Sequence, residues 1–162
     1  HEGRGTRFTV FFPATAEAAV DETGCAPALP PKASGLVLVV DDEDMVRSLA
    51  SAALRRFGYT VITAVNGREA VERFREAADR IDAVLLDIKM PVMDGHEALK
   101  ELKGIRPDVR VLISSGFSES EAHEAFEGQG VAGFVQKPYR APVLAEAVQQ
   151  VVQERKSRRR SV

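Results

Sequence analysis

From residue 36 onward the chain alternates short apolar, β-branched runs with longer stretches of helical period, ten elements in all. The runs predict strands at 36–40, 59–64, 82–86, 109–114 and 131–135, with amphipathic helices between them. Regular alternation of strand and helix argues for an α/β fold with a parallel sheet. The first, third and fourth runs are nearly all apolar, as strands covered on both faces must be. Tyr59-Thr60-Val61-Ile62-Thr63 mixes in polar residues and reads as an edge. Short connections and right-handed crossovers then put helices on both faces of the sheet. The strand order 2-1-3-4-5 of a flavodoxin-like, doubly wound (βα)5 sheet fits this distribution.

In the first helix Val46, Leu49, Ala50, Ala53, Leu54 and Phe57 share a face, and Gly58 ends it. Asn66 with Glu69, and Ser118 with Glu121, have the spacing of N-cap and N3 partners and place the starts of the second and fourth helices. The fifth helix has Pro142 in its first turn and an apolar stripe at Leu144, Ala147, Val148 and Val151, which predicts an end near Glu154. Ala141 stands where its cap is expected and has no capping oxygen, so a loose start is predicted.

Three of these strands end in polar residues of complementary chemistry. Asp41-Asp42 closes the first, Asp87 the third, and Lys137-Pro138 follows the fifth. If the strands are neighbours and parallel, three carboxylates and one ammonium meet at one edge of the sheet. Mg²⁺ takes about six oxygens and keeps several waters, so one or two carboxylates and a phosphate oxygen suffice to hold it. Each residue also has a plainer reading: Asp41-Asp42 as caps of the first helix, Asp87 as a strand-end carboxylate capping a loop, Lys137 as a surface lysine before a turn. Ser115 is a candidate hydroxyl donor to a phosphoryl oxygen, with Ser114 as its rival and Gly116 leaving space beside it. His96 and His123 fall on predicted helices and read as solvent-facing, without companions at zinc-site spacing.

Composition narrows the partners. At 162 residues and a net charge of −2, the chain suits one domain with a sizeable core, and its charge alone points to neither nucleic acid nor a membrane. A single cysteine, Cys25, rules out an internal disulfide and suits a reducing cytosol. No apolar run approaches the roughly 20 residues of a membrane span and nothing at the start reads as a signal peptide, so a cytoplasmic location without membrane contact is expected. Asp21 to Ser34, with Cys25 and three prolines, reads as a linker. Arg155-Lys156-Ser157-Arg158-Arg159-Arg160 reads as a solvated, frayed helix end.

Taken in order, Val39-Val40-Asp41-Asp42-Glu43, Leu86-Asp87-Ile88-Lys89-Met90-Pro91-Val92-Met93-Asp94-Gly95, Ser115-Gly116 and Phe134-Val135-Gln136-Lys137-Pro138 resemble the receiver domain of bacterial two-component systems, over nearly all of 36–154. The resemblance implies Asp87 as phosphoacceptor and Mg²⁺ held by Asp42, Asp87 and the main-chain carbonyl of Lys89, with Asp41 acting through water. It implies Ser115 and Lys137 as phosphoryl contacts, Phe134 as the switch residue and a cis Lys137-Pro138 peptide. Lys89 and Phe117 are expected to flank the path of water to the acyl phosphate and to lengthen its life. Glu2-Gly3-Arg4-Gly5-Thr6-Arg7-Phe8-Thr9-Val10-Phe11-Phe12-Pro13 resembles the last glycine box and final strand of a histidine-kinase ATP-binding domain. The expected organisation is therefore a kinase-domain remnant at 1–20, a linker at 21–35, a receiver at 36–154 and a basic tail at 155–162, cut from a hybrid sensor histidine kinase. Its partner would be a histidine kinase core or a histidine phosphotransfer protein. This piece lacks the kinase's own acidic and histidine motifs. Two rivals remain: a phosphate-independent pseudo-receiver, and a Mg²⁺-dependent phosphohydrolase, for which Lys89 stands where a second aspartate is required.

Overall fold

The computed structural model describes residues 33–116, 121, 124 and 126–155, together with the backbone of 156–160. The segment 1–20, the linker through residue 32 with Cys25, and Phe117, Ser118 and His123 lie outside the described residues. Strands β1 (Leu36–Val40), β2 (Thr60–Ala64), β3 (Ile81–Asp87), β4 (Val111–Ser115) and β5 (Gly133–Gln136) form one parallel sheet in the order β2-β1-β3-β4-β5. The helices whose bounds fall among the described residues are α1 (Asp44–Arg56), α2 (Gly67–Ala77), α3 (Gly95–Ile105) and α4 (Ala141–Arg160), the last being the fifth helix of the sequence reading. No helix among the described residues is long and apolar enough to cross a membrane.

The strands' two-residue period divides the core. Leu38, Val40, Val84, Leu86 and Ile113 point to one face, where α2 and α3 supply Phe74, Leu99 and Leu102. Val37, Val39, Ala83, Leu85 and Leu112 point to the other, against Leu54 of α1 and Leu144 and Val148 of α4. Each large side chain buried in this way contributes about 1.5–3 kcal/mol.

The helix boundaries follow local chemistry. Gly58, at φ 99, ends α1, and a Cβ there would come 2.5 Å from the Ala33 carbonyl oxygen. Asn66 caps α2 by accepting from the Glu69 N–H at 2.9 Å, while Glu69 reaches back to the Val65 N–H. Asp94 caps α3 in the same way through Glu97.

Three expectations are corrected. The buried face of α1 is narrower than its apolar stripe: Ala50, Ser51, Ala53 and Leu54 are buried, whereas Leu49 is 62% exposed. Small residues bring the helix close to the sheet and leave Leu49 at its rim. Ser51 tolerates burial because its hydroxyl donates to the Arg47 carbonyl. Second, Ala141 is the first helical residue of α4 and not its cap. Arg140 precedes it, and its carbonyl accepts from the Leu144 N–H at 3.1 Å. Third, α4 does not stop near Glu154, and Arg155 is no part of a solvated tail. It is 3% exposed, pairs with Asp82 at 2.7 Å, and donates to the carbonyls of Asp79 and Ile81. Asp82 lies where the β1–β3 register shifts, and its second oxygen accepts from the Leu36 N–H at 2.9 Å. One carboxylate thus ties the entry of the sheet to its last helix.

Candidate functional site

Parallel pairing brings the carboxyl ends of β1, β3 and β5 to the same edge, with β4 between β3 and β5. Asp41 leaves β1, Asp87 ends β3 and Lys137 leaves β5, its N–H donating to the Ser115 carbonyl of β4. The Lys137 Nζ donates to Asp41 Oδ2 and to Asp87 Oδ1, each at 2.7 Å. Asp42 is exposed, and one carboxylate oxygen from each of Asp41, Asp42 and Asp87 lies within 4.8 Å of the others. The Lys137-Pro138 peptide is cis.

The plainer reading of the acidic pair does not carry α1. Glu43 is the N-cap residue and makes no side-chain cap bond, while Asp41 Oδ1 accepts from the Glu43 N–H. Asp87 is nearly buried, and α3 starts hard against it. The Gly95 N–H donates to the Ile88 carbonyl at 2.9 Å, and a Cβ at Gly95 would lie 2.5 Å from the Asp87 carbonyl oxygen.

Charge is out of balance at this edge. Burial raises Asp87 above the ordinary carboxylate range; the bond from Lys137 opposes the rise, and Asp41 and Asp42 add to it. Burial also works to lower Lys137, but its bonds to Asp41 and Asp87 outweigh burial and hold the ammonium above its ordinary value. The partners differ because Asp87 is pressed chiefly by burial and shares one ammonium, whereas Lys137 has two carboxylates whose bonds outweigh its burial. Three carboxylates to one cation, all hard oxygen donors, suit a hard divalent cation such as Mg²⁺.

A cavity of about 280 Å³ opens beside these groups, lined by Asp87, Ile88, Lys89, Ser115, Gly116 and Lys137. Ser115 therefore lies at the site. Its rival Ser114 is one residue back on the other face, buried beside the Tyr139 phenol, whose acidity is weakened chiefly by burial. Phe134 is half-buried on β5, its ring 6.3 Å from Phe126 and tilted by 58°. His96, expected to face solvent, stacks flat on Phe126 with ring centroids 4.0 Å apart. Thirty positions separate these two rings, and no local pattern announces the pair.

A family model for the response regulator receiver domain matches residues 37–149. The chain is 34% identical over 160 residues to the sensor kinase CckA of Brucella abortus, which covers 94% of this chain but only 17% of that protein. The crystal structure of the receiver domain of the hybrid histidine kinase CckA is 39% identical with a TM-score of 0.62, covering 74% of this chain and 100% of that one. The CheX-CheY-BeF3-Mg complex from Borrelia burgdorferi matches at 29% identity and a TM-score of 0.69, over 72% of this chain and 88% of that one. With the 2-1-3-4-5 sheet and the acidic edge in view, the chain belongs to the response regulator receiver domains of two-component signalling.

Proposed function

We propose that Asp87 accepts a phosphoryl group from a phosphohistidine, and that Phe134 turns in response and alters a protein-binding surface. The observation that carries this reading is the Lys137 ammonium, 2.7 Å from both Asp41 and Asp87 at the mouth of the Ser115 cavity. In the transfer an Asp87 carboxylate oxygen attacks phosphorus, the P–O bond forms as the P–N bond breaks, and the imidazole leaves with the electron pair. Lys137 keeps a fixed positive charge beside that oxygen, and Ser115 offers a hydroxyl to a phosphoryl oxygen. Asp42, Asp87 and the Lys89 main-chain carbonyl would hold Mg²⁺, with Asp41 acting through water. The ion supplies positive charge for the phosphoryl oxygens as the bond changes hands. Phosphorylation adds about −1.5 to −2 charges beside Lys137 and Ser115, drawing the hydroxyl inward and leaving room for Phe134 to rotate.

The donor in this reading is a histidine kinase core or a histidine phosphotransfer protein, met in the cytoplasm where its ATP is found. Met45 and Leu49 on α1 and Val143 on α4 are exposed beside the same edge and offer that donor apolar contacts. We further read the chain as a piece of a hybrid sensor histidine kinase: remnant at 1–20, linker at 21–35, receiver at 36–154. An alignment to a sensor kinase that covers 94% of the chain extends into the first twenty residues, which supports that origin. Arg155, packed on Asp82, goes with the receiver, and residues 156–160 continue α4.

Incubation with acetyl phosphate and Mg²⁺, followed by intact mass, tests the proposal. One phosphate should be gained, and none by Asp87→Asn or in the presence of a chelator. Steady release of phosphate from phosphomonoesters would instead favour a hydrolase, and no adduct a phosphate-independent module. Lys89 lines the cavity, and Phe117 lies outside the described residues; replacing both with alanine should hasten decay of the adduct.

A further inference from the structure

Helix α3 grips the segment that leads into β5 at two points. His96, in its first turn, lies flat on Phe126, with ring centroids 4.0 Å apart and planes within 3°. Lys103, seven residues on and so on the same face, donates to the carbonyls of Gln129 and Gly130, the latter at 2.9 Å. Phe126 is fully buried and is the ring against which Phe134 rests. At the same amino end as His96, α3 is fixed to the site: the Gly95 N–H bonds the Ile88 carbonyl, and Gly95 lies against the Asp87 backbone. The residue that meets Phe126 is thus next in sequence to the one that meets Asp87.

We propose that His96 is a positioning residue for the switch: stacked on Phe126, it holds that ring as a wall that favours the present orientation of Phe134 and opposes its rotation. The inference rests on the reading of Phe134 as the side chain that turns. Lys103 fixes the backbone of the same segment, so that loss of the imidazole frees the wall without releasing the loop. His96 acts through Phe126 and touches no reacting atom.

The test uses the whole chain with Mg²⁺, titrated with beryllofluoride, and reads two quantities. One is the dissociation constant; the other is the ring resonances of Phe134, assigned with Phe134→Leu. His96→Ala should move the Phe134 signals of the Mg²⁺ form toward their beryllofluoride-bound positions and tighten beryllofluoride binding about two- to tenfold, the weight of one ordinary ring pair. His96→Phe restores a flat ring and should restore both wild-type values. His96→Leu keeps apolar volume without a flat stack and should behave like alanine, which guards against a loss of folding in His96→Ala. Wild-type values in the alanine and leucine variants, or a phenylalanine variant as altered as they are, would overturn the proposal. If beryllofluoride binds the wild type and Phe134 does not move, the reading of Phe134 itself fails, an outcome visible before any variant is made.

Discussion

Both ends of the sheet hold a sheltered cation against aspartate, yet they are balanced differently. At the amino end Arg155 meets one carboxylate, that of Asp82, and the carbonyls of Asp79 and Ile81, while Asp82 also takes the Leu36 N–H. At the carboxyl end Lys137 meets two carboxylates, and a third lies within 4.8 Å of both. The first cluster is matched in charge and closed. The second has surplus negative charge and opens into a cavity of about 280 Å³. A buried pair that is matched serves the fold; one left unmatched beside a cavity is poised for something to arrive.

The largest test of this contrast removes each cation in turn. Arg155→Ala removes a buried guanidinium and leaves Asp82 and the carbonyls of Asp79 and Ile81 without it, and should lower unfolding stability by about 3 kcal/mol, read as a lower urea midpoint at unchanged slope. Lys137→Ala leaves Asp41 and Asp87 beside a cavity that water can enter, and should cost only about 1 kcal/mol. Equal losses would erase the distinction between the two ends.

Next in size is a substitution that should stabilise. Burial and two like charges press on Asp87, so Asp87→Asn should raise stability without divalent cations by about 1 kcal/mol, and Asp82→Asn at the other end should lower it. Thermal melts of the two variants should therefore move in opposite directions.

A similar gain is expected from the backbone. Val92, in the loop after the site, is exposed at φ 72, where a β-branched residue is strained. Val92→Gly should stabilise by up to about 1 kcal/mol, the relief of a left-handed conformation less the added freedom of the unfolded chain. A loss of stability would mean that the valine makes contacts worth more than the strain.

The smallest effect concerns pH. Glu69 is held below its ordinary value of 4.5, chiefly by the Val65 N–H, against burial and with help from Arg73. A depressed folded value makes its contribution fully present above that ordinary value and lost as pH falls through the folded one. Because Glu69 is open to solvent, Glu69→Gln should flatten the acid limb of the stability curve by no more than a few tenths of a kcal/mol.

Much of this was legible in the sequence because it rests on local periodicity. The apolar runs marked the strands, the polar mixture at 59–63 marked β2 as an edge, and the Asn66–Glu69 spacing marked the start of α2. What the sequence hid depended on distant partners. Arg155 looked like the first residue of a basic tail, and only the fold brings Asp82 to it. The available signal was Asp82 itself, a charge inside the otherwise apolar stretch 81–86, which calls for a partner once sheltered. His96 met an unforeseen ring for the same reason. Leu49 was misjudged because hydropathy counts apolar residues but does not say how closely a small-residue face lets a helix settle. At the site, the sequence could align Asp41, Asp42, Asp87 and Lys137 only by assuming a strand order; their distances followed from the sheet.

Calorimetric titration with Mg²⁺ probes the imbalance most directly. The account predicts one ion per chain, binding abolished by Asp42→Asn and by Asp87→Asn and untouched by Asp82→Asn. Absence of binding in the wild-type chain, or binding that survives Asp42→Asn and disappears with Asp82→Asn, would contradict it.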